Sequence, residues 1–176
     1  MSRDEFRAWV DQQPFGRFER IDGVVVAMAP EPASHNLRNG SARDALRAAV
    51  RPAGLTSCQV FSAGMTVQAD SSDFDPDALL RYGPRLPGVS ARVSDPWVLV
   101  ERLSPDSGTG DRPTKLRAYF TLPSVQHYLI VWPDEPRIVC HSRMPDSRID
   151  TQMFVSGAIN LDPPGIAMTV EPFYAD

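Results

Sequence analysis

Trp97-Val98-Leu99-Val100-Glu101 is the stretch that decides the fold of this 176-residue chain. Its first four residues form a nearly continuous apolar run, which is typical of a central β-strand buried on both faces. Glu101 ends this run, although burying an isolated charge is costly. The sequence therefore predicts a central strand that carries a carboxylate at its end for a reason other than packing.

Helices and strands are predicted on both sides of this strand. Apolar residues at helical spacing predict helices at about residues 2–13, 34–50 and 113–121. A hairpin with its turn at Asp22-Gly23 is predicted over residues 17–28, and further strands at about 57–61, 65–68, 75–80, 126–132, 138–141, 153–155 and 167–170. Residues 69–73 read as a polar turn and residues 81–94 as a loop. This order predicts an α/β (α+β) fold with a mixed sheet, in a single domain spanning residues 1–176.

A second carboxylate stands at the start of an apolar strand. Asp77 precedes Ala78-Leu79-Leu80, and Asp75 lies two residues earlier, on the same face of an extended chain. If this strand neighbours the strand that ends at Glu101, the carboxylates converge at one edge of the sheet. Carboxylates grouped in this way suit Mg²⁺ or Mn²⁺, which prefer oxygen ligands.

Lys115 is the single lysine among 18 basic residues, and the other 17 are arginines. It follows the Glu101 strand on a predicted helix that could fold back above the strand end. An ammonium beside a metal can polarise a water molecule or hold a phosphate. Taken alone, these residues are also consistent with exposed acids at strand ends and a surface lysine.

The composition narrows the class of protein. A net charge of −4 argues against an open, nonspecific nucleic-acid surface, which usually carries a basic patch. It does not exclude a metal-dependent nuclease, because a cluster of metal-binding carboxylates is itself acidic. No apolar run approaches the ~20 residues that a membrane span requires. The charged, amphipathic first residues do not read as a signal peptide, so a cytoplasmic location is expected.

The order and spacing of several short motifs resemble those of the Uma family, endonucleases of the PD-(D/E)XK nuclease superfamily. The resemblance runs from about residue 14 to residue 142. The motifs that carry it are Phe18-Glu19-Arg20-Ile21-Asp22-Gly23, Pro30, Ser34-His35, Pro76-Asp77, Val100-Glu101-Arg102-Leu103-Ser104-Pro105, Lys115-Leu116-Arg117-Ala118-Tyr119 and Val125-Gln126-His127-Tyr128-Leu129-Ile130-Val131. No single motif is specific, but together they imply a restriction-endonuclease-like mixed sheet flanked by helices.

The resemblance also implies roles for individual residues. Asp77 matches the motif aspartate and Glu101 the motif acid, both ligands of Mg²⁺ or Mn²⁺. Glu19 matches a glutamate that can approach the metal as an accessory ligand. The superfamily lysine normally stands two residues after the acid, where this chain has Leu103; Lys115 on the following helix takes its place.

Three further positions carry less defined expectations. His35 matches a family histidine, with a capping or structural role equally open. Arg102 stands where an apolar residue is more common. This indicates either that the sheet packs differently there or that Arg102 contacts a phosphate. His127 stands where related chains often carry a glutamate, and a packed or surface histidine is expected.

The function that the resemblance implies is Mg²⁺-dependent hydrolysis of DNA phosphodiester bonds, with Lys115 positioning the attacking water and a homodimer cutting two strands. The arginines of segments 81–92 and 112–117 are candidate phosphate contacts, with a solvated surface as the alternative. The rival hypothesis is a catalytically silent module with the nuclease fold that binds a protein or nucleic-acid partner. A metal-dependent hydrolase acting on another phosphoester is a third.

Overall fold

The computed structural model describes residues 1–28, 33–103 and 111–175, excluding the side chains of residues 33–39, 111 and 112. Pro30, Ser104-Pro105 and the side chain of His35, which belong to the motifs above, lie outside the described residues. The α-helices are α1 (Arg3–Val10), α2 (Ala33–Val50) and α3 (Asp111–Tyr119), and a 3₁₀-helix spans Glu171–Tyr174. The strands are β1 (Phe18–Ile21), β2 (Val24–Ala27), β3 (Cys58–Ser62), β4 (Thr66–Ala69), β5 (Ser72–Phe74), β6 (Ala78–Tyr82), β7 (Arg92–Val93), β8 (Pro96–Arg102), β9 (His127–Val131), β10 (Ile138–Arg143), β11 (Ile149–Phe154), β12 (Ala158–Leu161) and β13 (Ile166–Thr169).

The main sheet is mixed and has β8 near its centre. Its six strands follow the order β11-β10-β9-β8-β6-β3. Strand β8 pairs parallel with β9 and antiparallel with β6. All its residues except Trp97 are buried. The predicted central strand is therefore confirmed, as is the mixed α+β fold.

The two faces of β8 contact two different apolar cores. Val98 and Val100 pack in a core that includes α2, β12 and β13. Leu99 packs in a second core with Tyr119 of α3 and Tyr128 of β9. Because successive residues of a strand point to opposite faces, Glu101 lies on the side of Leu99, whereas Arg102 lies on the side of Val98 and Val100.

A second sheet has the order β2-β1-β5-β4-β7. Its strand β1 carries Glu19, whose side chain is buried. Its strand β5 was not predicted, because Ser72–Phe74 fell partly within the expected polar turn. Asp73 is nevertheless buried, since its carboxylate accepts hydrogen bonds from Arg20 Nε at 2.7 Å and Arg3 Nε at 3.0 Å. These ion pairs compensate the desolvation of a polar strand.

The predicted strand over residues 75–80 is shifted. Strand β6 begins at Ala78 and continues through Arg81 and Tyr82, which were expected to lie in a loop. Arg81 can be buried there because its guanidinium binds both carboxylate oxygens of Asp95, at 2.6 and 3.0 Å. The short strands β7 and β12 also went unpredicted, and β12 pairs only with β13 within the described residues.

The predicted helices are present with small changes of length. Ser2 caps α1 through a capping box with Glu5, and the helix ends at Val10 rather than Gln13. Helix α2 ends at Val50 as expected. None of the described helices combines the length and the apolar character that crossing a membrane requires.

Helix α3 is attached to the main sheet through Arg143 of β10. The Arg143 guanidinium donates to the carbonyl oxygens of Phe120, Leu122 and Val125, at 2.9, 3.0 and 2.9 Å. These carbonyls follow the C-terminal end of α3, where unpaired acceptors and the helix dipole favour a cation. Arg143 thereby fixes the helix that carries Lys115.

Candidate active site

Asp77 and Glu101 lie side by side at the edge of the main sheet. Strands β6 and β8 are antiparallel neighbours, and Ala78 is paired with Val100. One step beyond that pair, Asp77 stands opposite Glu101 on the same face, where Cβ atoms are typically ~5 Å apart. The backbone N–H of Arg102 donates to Asp77 Oδ2 at 2.7 Å. The expected convergence of these two strand ends is confirmed.

Lys115 joins Glu101 to a third carboxylate. Its Nζ lies 3.1 and 3.2 Å from Glu101 Oε1 and Oε2, and 2.9 Å from Glu19 Oε1. Glu19 Oε1 also accepts a hydrogen bond from the backbone N–H of Asp75 at 3.0 Å. Strand β1 therefore brings Glu19 to the acids of the main sheet, although 82 residues separate Glu19 from Glu101 in the sequence.

The four side chains are almost entirely withdrawn from solvent. Glu19, Asp77, Glu101 and Lys115 are 4, 5, 9 and 6% exposed. Burial, together with the nearby carboxylates of Glu19 and Asp77, raises the pKa of Glu101 to about 8 despite the opposing effect of Lys115. Such a perturbed carboxyl is characteristic of functional sites, although structural ion pairs also produce it.

Tyr119 completes the contacts of Glu101 and was not singled out from the sequence. Its hydroxyl donates to Glu101 Oε1 at 2.7 Å. Burial and the adjacent Glu101 carboxylate hold the pKa of Tyr119 well above its usual value, so the hydroxyl keeps its proton. The available signal was its spacing, because a residue four positions after Lys115 lies on the same face of a helix.

The donor chemistry of the cluster fits a divalent cation. The cluster contains three buried carboxylates and one ammonium, which leaves two excess negative charges on these four side chains when all are ionised. Lys115 Nζ, however, lies between Glu19 and Glu101. Among residues 1–28, 33–103 and 111–175, no group of three or more His, Cys, Asp or Glu side chains is placed to hold a metal ion. The carboxylates are thus the type of ligand that Mg²⁺ or Mn²⁺ prefers, but the ammonium lies between two of them.

Other candidates from the sequence lie apart from this cluster. Asp75 is not in a strand with Asp77; its carboxylate pairs with Arg17 at 2.8 Å and accepts from the backbone N–H of Gly64. His127 is buried as a packed histidine, with its ring nitrogens 2.8 Å from Ser142 Oγ and the Pro163 carbonyl oxygen.

The buried arginines also differ from expectation. Arg102 points away from Glu101, donates to the carbonyl oxygen of Phe173 and lies 5.6 Å from the centre of the Tyr174 ring. Arg81 is engaged by Asp95. Both side chains are buried, so neither presents an exposed guanidinium to a phosphate. By contrast, Arg85, Arg92 and Arg117 are exposed.

Comparison with known proteins relates the fold and the sequence to nucleases. A putative nuclease belonging to DUF820 from Anabaena variabilis has a crystal structure that matches with a TM-score of 0.77, over 99% of this chain and 97% of that chain. The two sequences are 14% identical, so the likeness shows the fold alone. No curated protein gives a significant sequence match. The model of the Uma2 family, described as "Putative restriction endonuclease", matches residues 3–171. The family and the nuclease-like fold support a nuclease, and the chain belongs to the Uma2 family.

Proposed function

We propose that this protein is a Mg²⁺- or Mn²⁺-dependent endonuclease of the PD-(D/E)XK type that hydrolyses phosphodiester bonds in DNA. The observation that carries the proposal is the buried group of Glu19, Asp77 and Glu101 around Lys115. Isolated buried charges are costly, and packing alone does not account for two carboxylates that share an ammonium with a third carboxylate beside them. Family membership adds the expectation of a nuclease.

The acids have distinct proposed roles. Asp77 and Glu101 would hold the cation, with Glu19 as the accessory ligand. When bound, a divalent cation there would supply Lewis-acid chemistry, polarising the scissile phosphate and lowering the pKa of the attacking water. In this arrangement the Arg102 backbone N–H orients the Asp77 carboxylate, whose Oδ2 it contacts at 2.7 Å.

Lys115 has the role of orienting the nucleophile. Its ammonium donates to Glu19 and to both oxygens of Glu101, so a cation held by these acids would compete with it for their oxygens and release N–H groups. The released N–H groups can then hold the attacking water and stabilise charge that develops on the phosphate. The aromatic ring of Phe74, 5.5 Å from Nζ, keeps the ammonium in this region.

An exposed arginine on α3 is the candidate contact to DNA. Arg117 is exposed on α3 two residues after Lys115, and only a loose 3.9 Å pair with Asp22 is present in the described structure. We propose it as a contact to the DNA backbone. A homodimer that cuts both strands and a cytoplasmic location stay predictions.

The test is a cleavage assay over duplex, single-stranded and branched DNA with Mn²⁺ or Mg²⁺. We expect metal-dependent cleavage by the wild type, none detectable with Asp77→Ala, and a loss of about 10²-fold or more with Lys115→Ala. Asp146→Ala makes the same change at an exposed position near the tip of the β10–β11 hairpin and serves as the control. Equal cleavage by Asp77→Ala, Lys115→Ala and the control would remove the assigned site.

A catalytically silent binding module is the second candidate. The position of Lys115 between Glu19 and Glu101 favours it, because the ammonium already neutralises part of the cluster without a metal. Calorimetric titration with Mn²⁺ separates the two candidates. The nuclease binds Mn²⁺ in a manner that depends on Asp77, whereas a silent module binds DNA or a protein and shows no such metal site.

A further inference from the structure

The hydroxyl of Tyr119 is a fixed donor inside the candidate site. It lies 2.7 Å from Glu101 Oε1, which is within the range of a strong hydrogen bond to a carboxylate. The Tyr119 side chain is fully buried, so water does not compete for its hydroxyl.

The ring of Tyr119 has little freedom to move its hydroxyl. It makes edge-to-face contacts with Phe74 and Tyr128, with ring centroids 5.1 Å apart in both cases. Lys115 lies four residues earlier on α3, so one helix face supplies both the hydroxyl and the ammonium that contact Glu101. The helix itself is fixed by Arg143.

The two oxygens of Glu101 are engaged unequally. Oε1 accepts from the Tyr119 hydroxyl and from Lys115 Nζ at 3.1 Å. Oε2 accepts from Lys115 at 3.2 Å, which is its one hydrogen bond within the described part of the chain. Oε2 therefore becomes the less satisfied oxygen whenever Lys115 turns away, while Oε1 stays held by Tyr119.

We propose that Tyr119 is a positioning residue, whose hydroxyl fixes Oε1 of Glu101 and so presents Oε2 to the divalent cation. The inference rests on the proposed nuclease function. It assigns Tyr119 no contact with DNA or with the reacting atoms. Hydrogen-bond partners of metal ligands act in this way in other metal sites, where their loss typically lowers metal affinity by about 10–100-fold.

The test compares Tyr119→Phe with Tyr174→Phe. The first removes the hydroxyl and keeps the ring between Phe74 and Tyr128. The second removes a hydroxyl that bonds the backbone N–H and carbonyl of Arg137, at 2.9 and 2.8 Å, away from the site. Calorimetry gives the Kd for Mn²⁺, thermal unfolding in EDTA gives the melting temperature, and DNA cleavage gives kcat and KM.

We expect Tyr119→Phe to raise the Mn²⁺ Kd by about 10–100-fold and to lower kcat with little change in the KM for DNA. Tyr174→Phe should keep the wild-type Mn²⁺ Kd, even if its melting temperature falls. Equal Mn²⁺ affinity in Tyr119→Phe and wild type overturns the inference, as do equal losses in both variants. Failure of Tyr119→Phe to fold also overturns it, because the hydroxyl would then be a structural requirement.

Wild-type protein separates this inference from the proposed function. If it binds no Mn²⁺, the metal-dependent function fails and the role of Tyr119 fails with it. If wild type binds Mn²⁺ and Tyr119→Phe binds equally well, only the role of Tyr119 is wrong.

Discussion

Glu101→Gln should change how the stability of the metal-free protein depends on pH. The pKa of Glu101 is about 8 in the folded protein and 4.5 when unfolded. Because the folded state holds the proton more tightly, its stabilising effect is complete below pH 4.5 and is lost as the pH rises through 8. Glutamine resembles the protonated carboxyl at every pH, so the variant lacks this loss.

The size of the effect follows from the linkage between pKa and stability. Each pH unit between the two pKa values lowers the free energy of unfolding by about 1.4 kcal/mol. Between pH 5 and pH 8 the wild type should therefore lose up to ~4 kcal/mol more than Glu101→Gln.

Urea unfolding at pH 5, 6.5 and 8 in EDTA measures the effect. The quantity to follow is the difference in unfolding free energy between Glu101→Gln and wild type, because any constant cost of weakening the contact with Lys115 cancels across the pH series. Glu135→Gln makes the same chemical change at an exposed position and serves as the control. A difference between Glu101→Gln and wild type that stays constant from pH 5 to pH 8 refutes the reasoning.

Three further predictions concern the helix, the DNA surface and the domain. Arg143→Ala should lower the free energy of unfolding by about 1–3 kcal/mol in urea titrations, because three carbonyls near the end of α3 lose a charged donor. Arg143→Lys should lose less, and equal stability of Arg143→Ala and wild type would show that the helix is held by other contacts. Arg117→Ala should weaken binding to all DNA sequences and reduce the slope of the log binding constant against log salt concentration by about 1. Arg51→Ala, at another exposed position, should leave the slope unchanged, and identical slopes for Arg117→Ala and wild type would exclude the proposed phosphate contact. If residues 1–176 form one domain, unfolding followed by circular dichroism and by fluorescence of Trp9, Trp97 and Trp132 should give coincident transitions, and two separate transitions would contradict it.

The central strand and its acids could be predicted because their signals are local. Apolar residues next to Asp77 and Glu101 identified carboxylates at strand ends, and the single lysine drew attention to Lys115. That these three groups meet required the antiparallel pairing of β6 with β8 and the return of α3. The pairing of β6 with β8 is consistent with their apolar sequences, but those sequences alone do not determine which strands become neighbours.

Features that depend on distant partners were missed. Strand β5 and the buried end of β6 contain charged residues, and their burial depends on Arg3 and Arg20 for Asp73, and on Asp95 for Arg81. A polar stretch reads as a turn when such partners are unknown. Sequence patterns therefore located the apolar framework better than the buried ion pairs.

Sequence patterns alone could not predict the contacts of Glu19 and Tyr119. Glu19 entered only through the family resemblance, because its approach to Lys115 depends on how β1 packs against α3. Tyr119 stood only within a family motif with no role of its own, and its hydroxyl contact with Glu101 appears only in three dimensions.

Anomalous diffraction from crystals soaked in Mn²⁺ tests the central claim most directly. We predict a peak within about 2.5 Å of carboxylate oxygens of both Asp77 and Glu101, with Lys115 Nζ moved away from at least one of its two glutamates. Crystals of Asp77→Ala should lack this peak. No Mn²⁺ at these acids in the wild type, with Lys115 still bonded to Glu19 and Glu101, would contradict a metal-dependent active site here.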